Sequence, residues 1–567
     1  MGNQMSEIKR ANIIRFVTVA VVAIAGGLIV SSINLRLDLT EDRRYTLSPE
    51  TREILTSLEN DVYIQVFLDG DMPVAFKRLR RSVREILDEF RVVSGRRVGY
   101  AFINPAAGSD SRERNRRQQE LLEKGLEAVD VQAGDDEGGT TVRTLFPGMI
   151  VNYDGVEIPV NFLKNNPALP AEQNLLHSVE ALEYELIQTI YTLTADTVLK
   201  VAFIEGYGVP DELQVADITL SMARFFTIDR GRIGGLYGAL DDYAAIIVAR
   251  PTEPFSDEDK FVIDQYIMNG GRVLWLYQEV LVDADSLQRG EAVAVYEPLD
   301  IADQLFRYGA RVNPVLLQDM ECLPIPLQLV RSDRPQIVPT PWPYYPLLVP
   351  SPDHPVTRNV NRVKGRFVSS VDTVGLDPEV RKSILLTTSR RSRVVNPPII
   401  IALADATRPP VEQEFGRSSV PVAVLLEGRF ESAFRNRMIP SDVINPPGSA
   451  HSRSKETRMI VISDADMIIN EVSLSRQGYP SPLPLGKDRL TGQTFGNSDF
   501  LINSLNYLVD EAGLLELRSR EIRLRLLNRQ RVRDNLFVIQ LINIVGPLLI
   551  LSLSGVLFAQ IRGRRYR

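Results

Sequence analysis

Apolar positions along this chain recur every second residue in some stretches and every third and fourth in others, and two long runs bear no charge at all. In LSPETREILTSL (47–58), Leu47, Ile54, Leu55 and Leu58 share one helical face. Thr46 or Ser48 can cap that helix, with Pro49 at its first position and Glu50 in its first turn. VYIQVFLDG (62–70) predicts a strand ending in a turn. From Pro73 to Val93 the spacing of Phe76, Leu79, Val83, Ile86, Leu87 and Phe90 is helical, and RVGYAFINP (97–105) alternates as a strand. The highly charged stretch Asp110–Asp136 predicts a helix followed by a mobile loop. Gly148–Phe162 predicts a hairpin turning at Asp154-Gly155. Strand, helix, strand, helix and hairpin is a thioredoxin-like order, and the lack of a C-x-x-C excludes thioredoxin chemistry.

A second pattern opens at Thr197. VLKVAFIEG (198–206), DYAAIIVARP (242–251) and RVLWLYQ (272–278) are apolar strands, separated by an expected helix Asp211–Phe226 and a capped helix SDEDKFVIDQYIMNGG (256–271) closed by glycine. This alternation implies a mostly parallel, Rossmann-like sheet whose ligands would sit at the carboxyl ends of strands. Glu205-Gly206-Tyr207-Gly208 lies at such an end, but without the third glycine of a dinucleotide fingerprint it reads better as a tight strand-to-helix turn than as a phosphate cradle. Prolines crowd Cys322–Pro355 and predict extended, irregular chain forming a packed surface loop or a partner groove. Strands resume at SILLTTS (383–389), PIIIAL (398–403), VAVLLEG (422–428) and RMIVISDADMI (458–468). Helical spacing returns at Asp499, where Phe500, Leu501, Leu505, Leu508 and Val509 form one face, and a basic remainder would run on as a stalk.

The uncharged runs decide the setting. Residues 535–561 exceed the ~30 Å hydrocarbon core of a bilayer and are followed by Arg562, Arg564, Arg565 and Arg567. A buried core helix seldom goes so long without charge, and a membrane helix tolerates Pro547 better than a soluble one. Residues 16–35 follow Lys9, Arg10 and Arg15; the run is long for a signal peptide and no A-x-A site closes it, so an uncleaved anchor is favoured. Basic tails place both termini in the cytoplasm and the bulk of the chain outside it. The basic segment from Arg518 to Arg533 argues the other way, but a large domain translocates largely regardless of charge. Gln540 and Asn543 lie inside the second run beside Gly546 and Pro547, which marks a helix-packing face as well as an anchor.

Composition narrows the classes. With 24% charged residues and a mean hydropathy near zero, the chain is no multi-span transporter. A net charge of −7 spread along it gives no support for nucleic-acid binding, and one cysteine, Cys322, excludes a disulfide framework. The three histidines, His177, His354 and His451, are isolated in sequence. Asp353 could orient His354, but no G-x-S-x-G elbow accompanies it, and a loop-packing hydrogen bond is the simpler role. Cys322 lacks a nucleophile's glycine-flanked elbow and reads as a buried thiol. Asp464 and Asp466 end an apolar strand, where acidic pairs sometimes hold Mg²⁺; without nearby phosphate-binding glycines they read as a strand-end turn. The basic face Lys77, Arg78, Arg80, Arg81 and Arg84 reads as solvated surface, with an anionic partner as the lesser alternative. No catalytic, cofactor or metal residue is assigned, and no Walker sequence is present, so any ATPase must be a separate subunit.

RRYTLSPETREIL, PWPYYPLLVPSPDHPVTRNV, VAVLLEGRFESAFRNR and FGNSDFLINSLNYLVDEAGLLELRSREIRLR resemble, in order, the GldG family, the gliding-motility-associated ABC transporter auxiliary proteins of the Bacteroidota. The resemblance implies a non-enzymatic inner-membrane subunit that accompanies a permease and, through it, a cytoplasmic ATPase, with a possible envelope partner. Relatives carry a Gly-His-Gly-Glu turn where this chain has Gly206, Tyr207, Gly208 and Val209, which puts any activity of that His and Glu in doubt here. The expected division is a tail (1–15), a span (16–35), a thioredoxin-like domain (36–196), an auxiliary α/β domain (197–498), a stalk (499–534), a second span (535–561) and a tail (562–567). An exported hydrolase on a two-span anchor, using His354 or Asp464 and Asp466, is the alternative.

Overall fold

The computed structural model describes residues 16–18, 21–22, 25, 47–107, 111–134, 140–163, 171–195, 198–331, 334–375, 377–408, 410–474, 478–510, 513–519, 533 and 535–565. Contacts divide the chain into a large unit that includes 45–520 and a small one that includes 521–567. Most of the expected first span lies outside the described residues; Phe16–Thr18, Val21, Val22 and Ala25 are helical.

In the large unit Ser48 caps α1 (Pro49–Ser57), its Oγ accepting from the Thr51 N–H at 3.1 Å. There follow β1 (Val62–Val66), α2 (Val74–Val93), β2 (Val98–Phe102), α3 (Ser111–Glu123), β3 (Val129–Gly134), β4 (Thr140–Leu145), β5 (Gly148–Tyr153), β6 (Val156–Asn161) and α4 (Ala171–Thr194). The sheet runs β2-β1-β5-β6, with β1 parallel to β2 and antiparallel to β5, and α2 buries Leu79, Val83, Leu87 and Phe90. The β5–β6 turn has φ of 50° at Asp154 and 85° at Gly155, the left-handed pair of a tight hairpin. The charged helix leads into two strands that were not expected, β3 and β4, which pair antiparallel from Val129 to Leu145, while the expected mobile loop between them, 135–139, lies outside the described residues. Opposed Asp130 and Thr144 hydrogen-bond at 2.7 Å across the strands, and local charge had hidden the β-branched alternation of TTVRTL.

Next come β7 (Lys200–Ile204), α5 (Ala216–Met222), β8 (Thr227–Gly231), β9 (Ala245–Ala249), α6 (Asp257–Met268), β10 (Val273–Leu276), β11 (Cys322–Arg331), β12 (Arg334–Pro350), β13 (Val380–Thr387), β14 (Pro421–Gly428) and β15 (Thr457–Ile462). Their order is β11-β12-β13-β14-β15-β10-β9-β7-β8. The stretch from β8 through β15 is parallel, and the stretch from β15 to β11 is antiparallel. The sheet is therefore mixed, because an apolar run reports burial on both faces and says nothing of strand direction.

Two further expectations change. The helix predicted over Asp211–Phe226 is confined to α5, because the Asp211 and Gln214 side chains each accept the other's backbone N–H (3.0 and 2.8 Å) and fix a turn first. The proline-rich segment is a regular hairpin, not irregular chain: β11 and β12 pair from Cys322 to Arg334 with one bulge. In α7 (Asn497–Val509) the polar Asn497, Asn503, Ser504 and Asn506 are buried along with the expected apolar face. Asn497 exchanges hydrogen bonds with the Lys364 backbone, both at 2.9 Å, and Asn503 donates to the Val356 carbonyl at 3.1 Å, so this helix is core. Beyond it Leu514–Ser519 form a 3-10 turn with Leu514 and Leu515 buried, and 511–512, 520–532 and 534 of the expected stalk lie outside the described residues. One apolar cluster joins both sheets, from Leu47, Val62 and Leu87 to Val201, Leu274, Ile460 and Leu505.

The small unit contributes α8 (Leu536–Arg565), with Pro547 inside it. Its residues Leu536–Ile561 are long and apolar enough to cross a membrane, and none of that apolar stretch is buried in protein.

Candidate functional site

The order of strands reverses about β7, all of them parallel: the chain steps from β7 to β8 on one side and to β9 and β10 on the other. The carboxyl ends of β7 and β9 therefore flank the place where open α/β sheets take ligands. Three successive residues there, Gly206, Tyr207 and Gly208, have φ of 90°, 58° and 65°, and Arg250 just after β9 has 49°. Only glycine fits at 208, where a Cβ would stand 2.0 Å from Thr252 Oγ1. This coil of backbone is spent on closing the crevice. The Tyr207 carbonyl accepts from the N–H groups of Thr252 (2.7 Å) and Glu253 (3.1 Å), and Thr252 Oγ1 donates to the Gly208 carbonyl at 3.0 Å.

Tyr207 itself turns away to the helix. Its ring stacks on Phe255 with centroids 4.1 Å apart, and its hydroxyl donates to Asp259 in the first turn of α6. Burial and that carboxylate push the phenol up to about 12, so it stays neutral. Asp259 also accepts the Gly235 N–H at 2.6 Å. Tyr207 thus acts as a clasp between the β7 turn and α6.

Beside this turn, Glu205 accepts from Arg230 at 2.8 Å. Further along, beyond β15, Asp466 accepts from Arg250 at 2.5 Å and lies 3.7 Å from Arg366. Its neighbour Asp464 is fully buried, and one of its oxygens, Oδ2, accepts the Arg366 N–H at 3.2 Å while Oδ1 has no hydrogen-bond partner. Burial, then the nearby Asp466 charge, hold the Asp464 carboxyl well above the usual range. The two aspartates are thus brought to a strand end, as their sequence position implies, but with two arginines against them. No group of three or more metal-ligating side chains occurs among the described residues. Sequence reading missed Arg230, Arg250 and Arg366, whose partners are far along the chain.

The other candidates stand apart from this end of the sheet. His177 lies on α4, where Glu180 at 3.2 Å raises its affinity for a proton. His354 Nδ1 accepts from the Val356 N–H at 3.3 Å, its ring packs edge-on against Tyr507, and burial lowers its pKa. The backbone of His451 exchanges hydrogen bonds with Gln265, at 2.7 and 3.1 Å. Burial pushes the Cys322 thiol up to about 11. In the basic face of α2, Arg80 pairs with Asp69 at 2.9 Å, and Arg80 and Arg84 lie over the Phe102 ring. A polar cleft of about 450 Å³ opens at the other end of the sheet, with Arg272, Arg381, Arg458, Glu427, Glu456 and Tyr507 among its walls.

Comparison with known proteins adds a family. Residues 199–504 match the model of the ABC-type uncharacterized transport system, which spans the sheet from β7 to α7. Residues 41–152 match a domain of unknown function (DUF7088). No curated protein matches the chain. Among solved structures, the mmIFT52 N-terminal domain is similar at 12% identity and a TM-score of 0.29, covering 55% of this chain and 97% of its own. With more than half of its 567 residues matched, the chain belongs to the ABC-type uncharacterized transport system auxiliary family and has an accessory role in such a system.

Proposed function

We propose that this protein is a non-catalytic, membrane-anchored subunit that couples an exported α/β region to an ABC permease and, through it, to a cytoplasmic ATPase. The observation that carries the reading is the coincidence, in one chain, of the auxiliary-family sheet over 199–504 and the bare apolar helix Leu536–Ile561. The N-terminal run Phe16–Leu35 would be the second anchor, with both termini in the cytoplasm of a bacterial inner membrane. Within the exported region the strand order β2-β1-β5-β6 supports a thioredoxin-like reading, and the parallel strands β8, β7, β9 and β10 support a Rossmann-like one. The sequence resemblance supports placing it with the GldG proteins of gliding motility and adhesin secretion in the Bacteroidota. In place of the His of relatives, Tyr207 builds a clasp, and Val209 stands where they carry the Glu.

Affinity purification of the tagged full chain from its native membranes in mild detergent tests the reading. A multi-span permease and an ATPase should co-purify in fixed ratio. Recovery of the chain without either, under conditions in which chemical cross-linking in the membrane also captures neither, would refute it. A hydrolytic activity abolished by His354→Ala would instead favour the enzyme alternative.

A further inference from the structure

We propose that α8 pairs with α8 of a second copy of this chain, side by side and parallel, through Asn543. The proposal rests on the membrane-spanning reading of that helix. Over Leu536–Ile561 the centre falls between Leu548 and Leu549, which puts Asn543 about 8 Å from the bilayer midplane and about 7 Å inside the hydrocarbon boundary. Two polar groups meet there. One is the Asn543 side-chain amide. The other is the Asn543 carbonyl, because the residue four positions on is Pro547, which has no N–H to give. Left facing lipid, both lack partners where water cannot reach.

The donor and acceptor count decides the occupant. Each Asn543 brings two amide N–H donors, one amide oxygen and one freed carbonyl. Two copies related by a two-fold axis along the helices set equal numbers of donors and acceptors at the same depth. Each amide gives one N–H to the partner amide oxygen and has one left for a freed carbonyl. A single hydroxyl from another helix has one proton to give and would leave part of the set unmet. Gly546, on the same side as Asn543, has nothing within 4 Å of where its Cβ would stand, so two backbones can approach closely. Gln540, a turn before Asn543 and near the interface, lies on the same side.

The test uses the full chain, expressed without other transporter components and carrying Cys322→Ser. Ile550 lies about two turns beyond Asn543 on the same side, whereas Leu541 is roughly 160° around the helix. Oxidation with copper–phenanthroline in native membranes should give a disulfide-linked dimer for Ile550→Cys and little for Leu541→Cys. Adding Asn543→Leu to Ile550→Cys should weaken association about three- to twentyfold, the range for hydrogen bonds between membrane helices. Carbonate extraction establishes first that each variant is in the membrane; a chain released by carbonate would refute the anchor reading itself. For an anchored chain, absence of the Ile550→Cys dimer, equal dimer from both positions, or indifference to Asn543→Leu would overturn the pairing. A cross-link to a different protein would assign the face to that partner instead.

Discussion

Asp464 shows how a buried carboxylate with half its hydrogen bonding unmet influences stability. Its pKa in the folded chain lies above that in the unfolded chain, so the folded state holds the proton more tightly. The stabilisation is present in acid and is lost as pH rises through the folded value; above it, the buried charge counts against the fold. Asp464→Asn mimics the neutral form. It should raise the denaturation midpoint more at pH 8 than at pH 5, read by fluorescence of the buried Trp275 and Trp342. A midpoint lowered equally at both pH values would mean that the charge is held by something the geometry lacks. Tyr207 gives the opposite case, a polar group whose bond is made. Tyr207→Phe keeps the stack on Phe255 but removes a hydrogen bond to a carboxylate, and should cost about 2 kcal/mol in the same assay. The identity of these residues was readable in the sequence, but their partners were not: Arg250 and Asp466 lie 216 positions apart.

Elements fixed by neighbours a few residues away were readable; those fixed by register were not. Ser48-Pro49, Ser256 before α6 and Asp154-Gly155 all act within a turn of chain, and all appear where the pattern predicts. The proline-rich hairpin fails that approach because its regularity lies between strands. Pro324 faces Pro341 and Pro326 faces Pro339. Neither member of either pair has an N–H, so these are the non-bonded positions of the ladder, and the Ile325–Thr340 pair between them is a bonded one. The period of two in the prolines was the signal. It removes the N–H groups that would otherwise point outward from both strands, leaving edges that other chains cannot easily extend. Pro339→Val with Pro341→Val should therefore leave the fold intact and restore donors along one edge of β12. Light scattering of the detergent-solubilised chain should then rise with concentration, while wild type stays flat. A variant that unfolds would show instead that the prolines are needed to form the hairpin.

Apolar runs report burial, and at the level of the entire chain burial leaves two matters open: strand direction, which made the central sheet mixed, and the side of the membrane. The second is decided by charge, and the charges disagree. Basic tails favour cytoplasmic termini, whereas the arginines from Arg518 to Arg533 would hold the opposite side in place. The intervening region is large, the regime in which a domain translocates largely regardless of its charge. We therefore expect the large unit outside the cytoplasm. Met438, 92% exposed, is a suitable reporter once replaced by cysteine in a Cys322→Ser background. Wild type supplies its own contrast, since burial pushes the Cys322 thiol up to about 11 and leaves little thiolate near neutral pH. A thiol reagent that crosses the outer but not the inner membrane should label Met438→Cys in intact cells, and label wild type far more slowly. Labelling of Met438→Cys only after lysis would put the large unit in the cytoplasm, and with it the surface on which any ATPase contact would have to be sought.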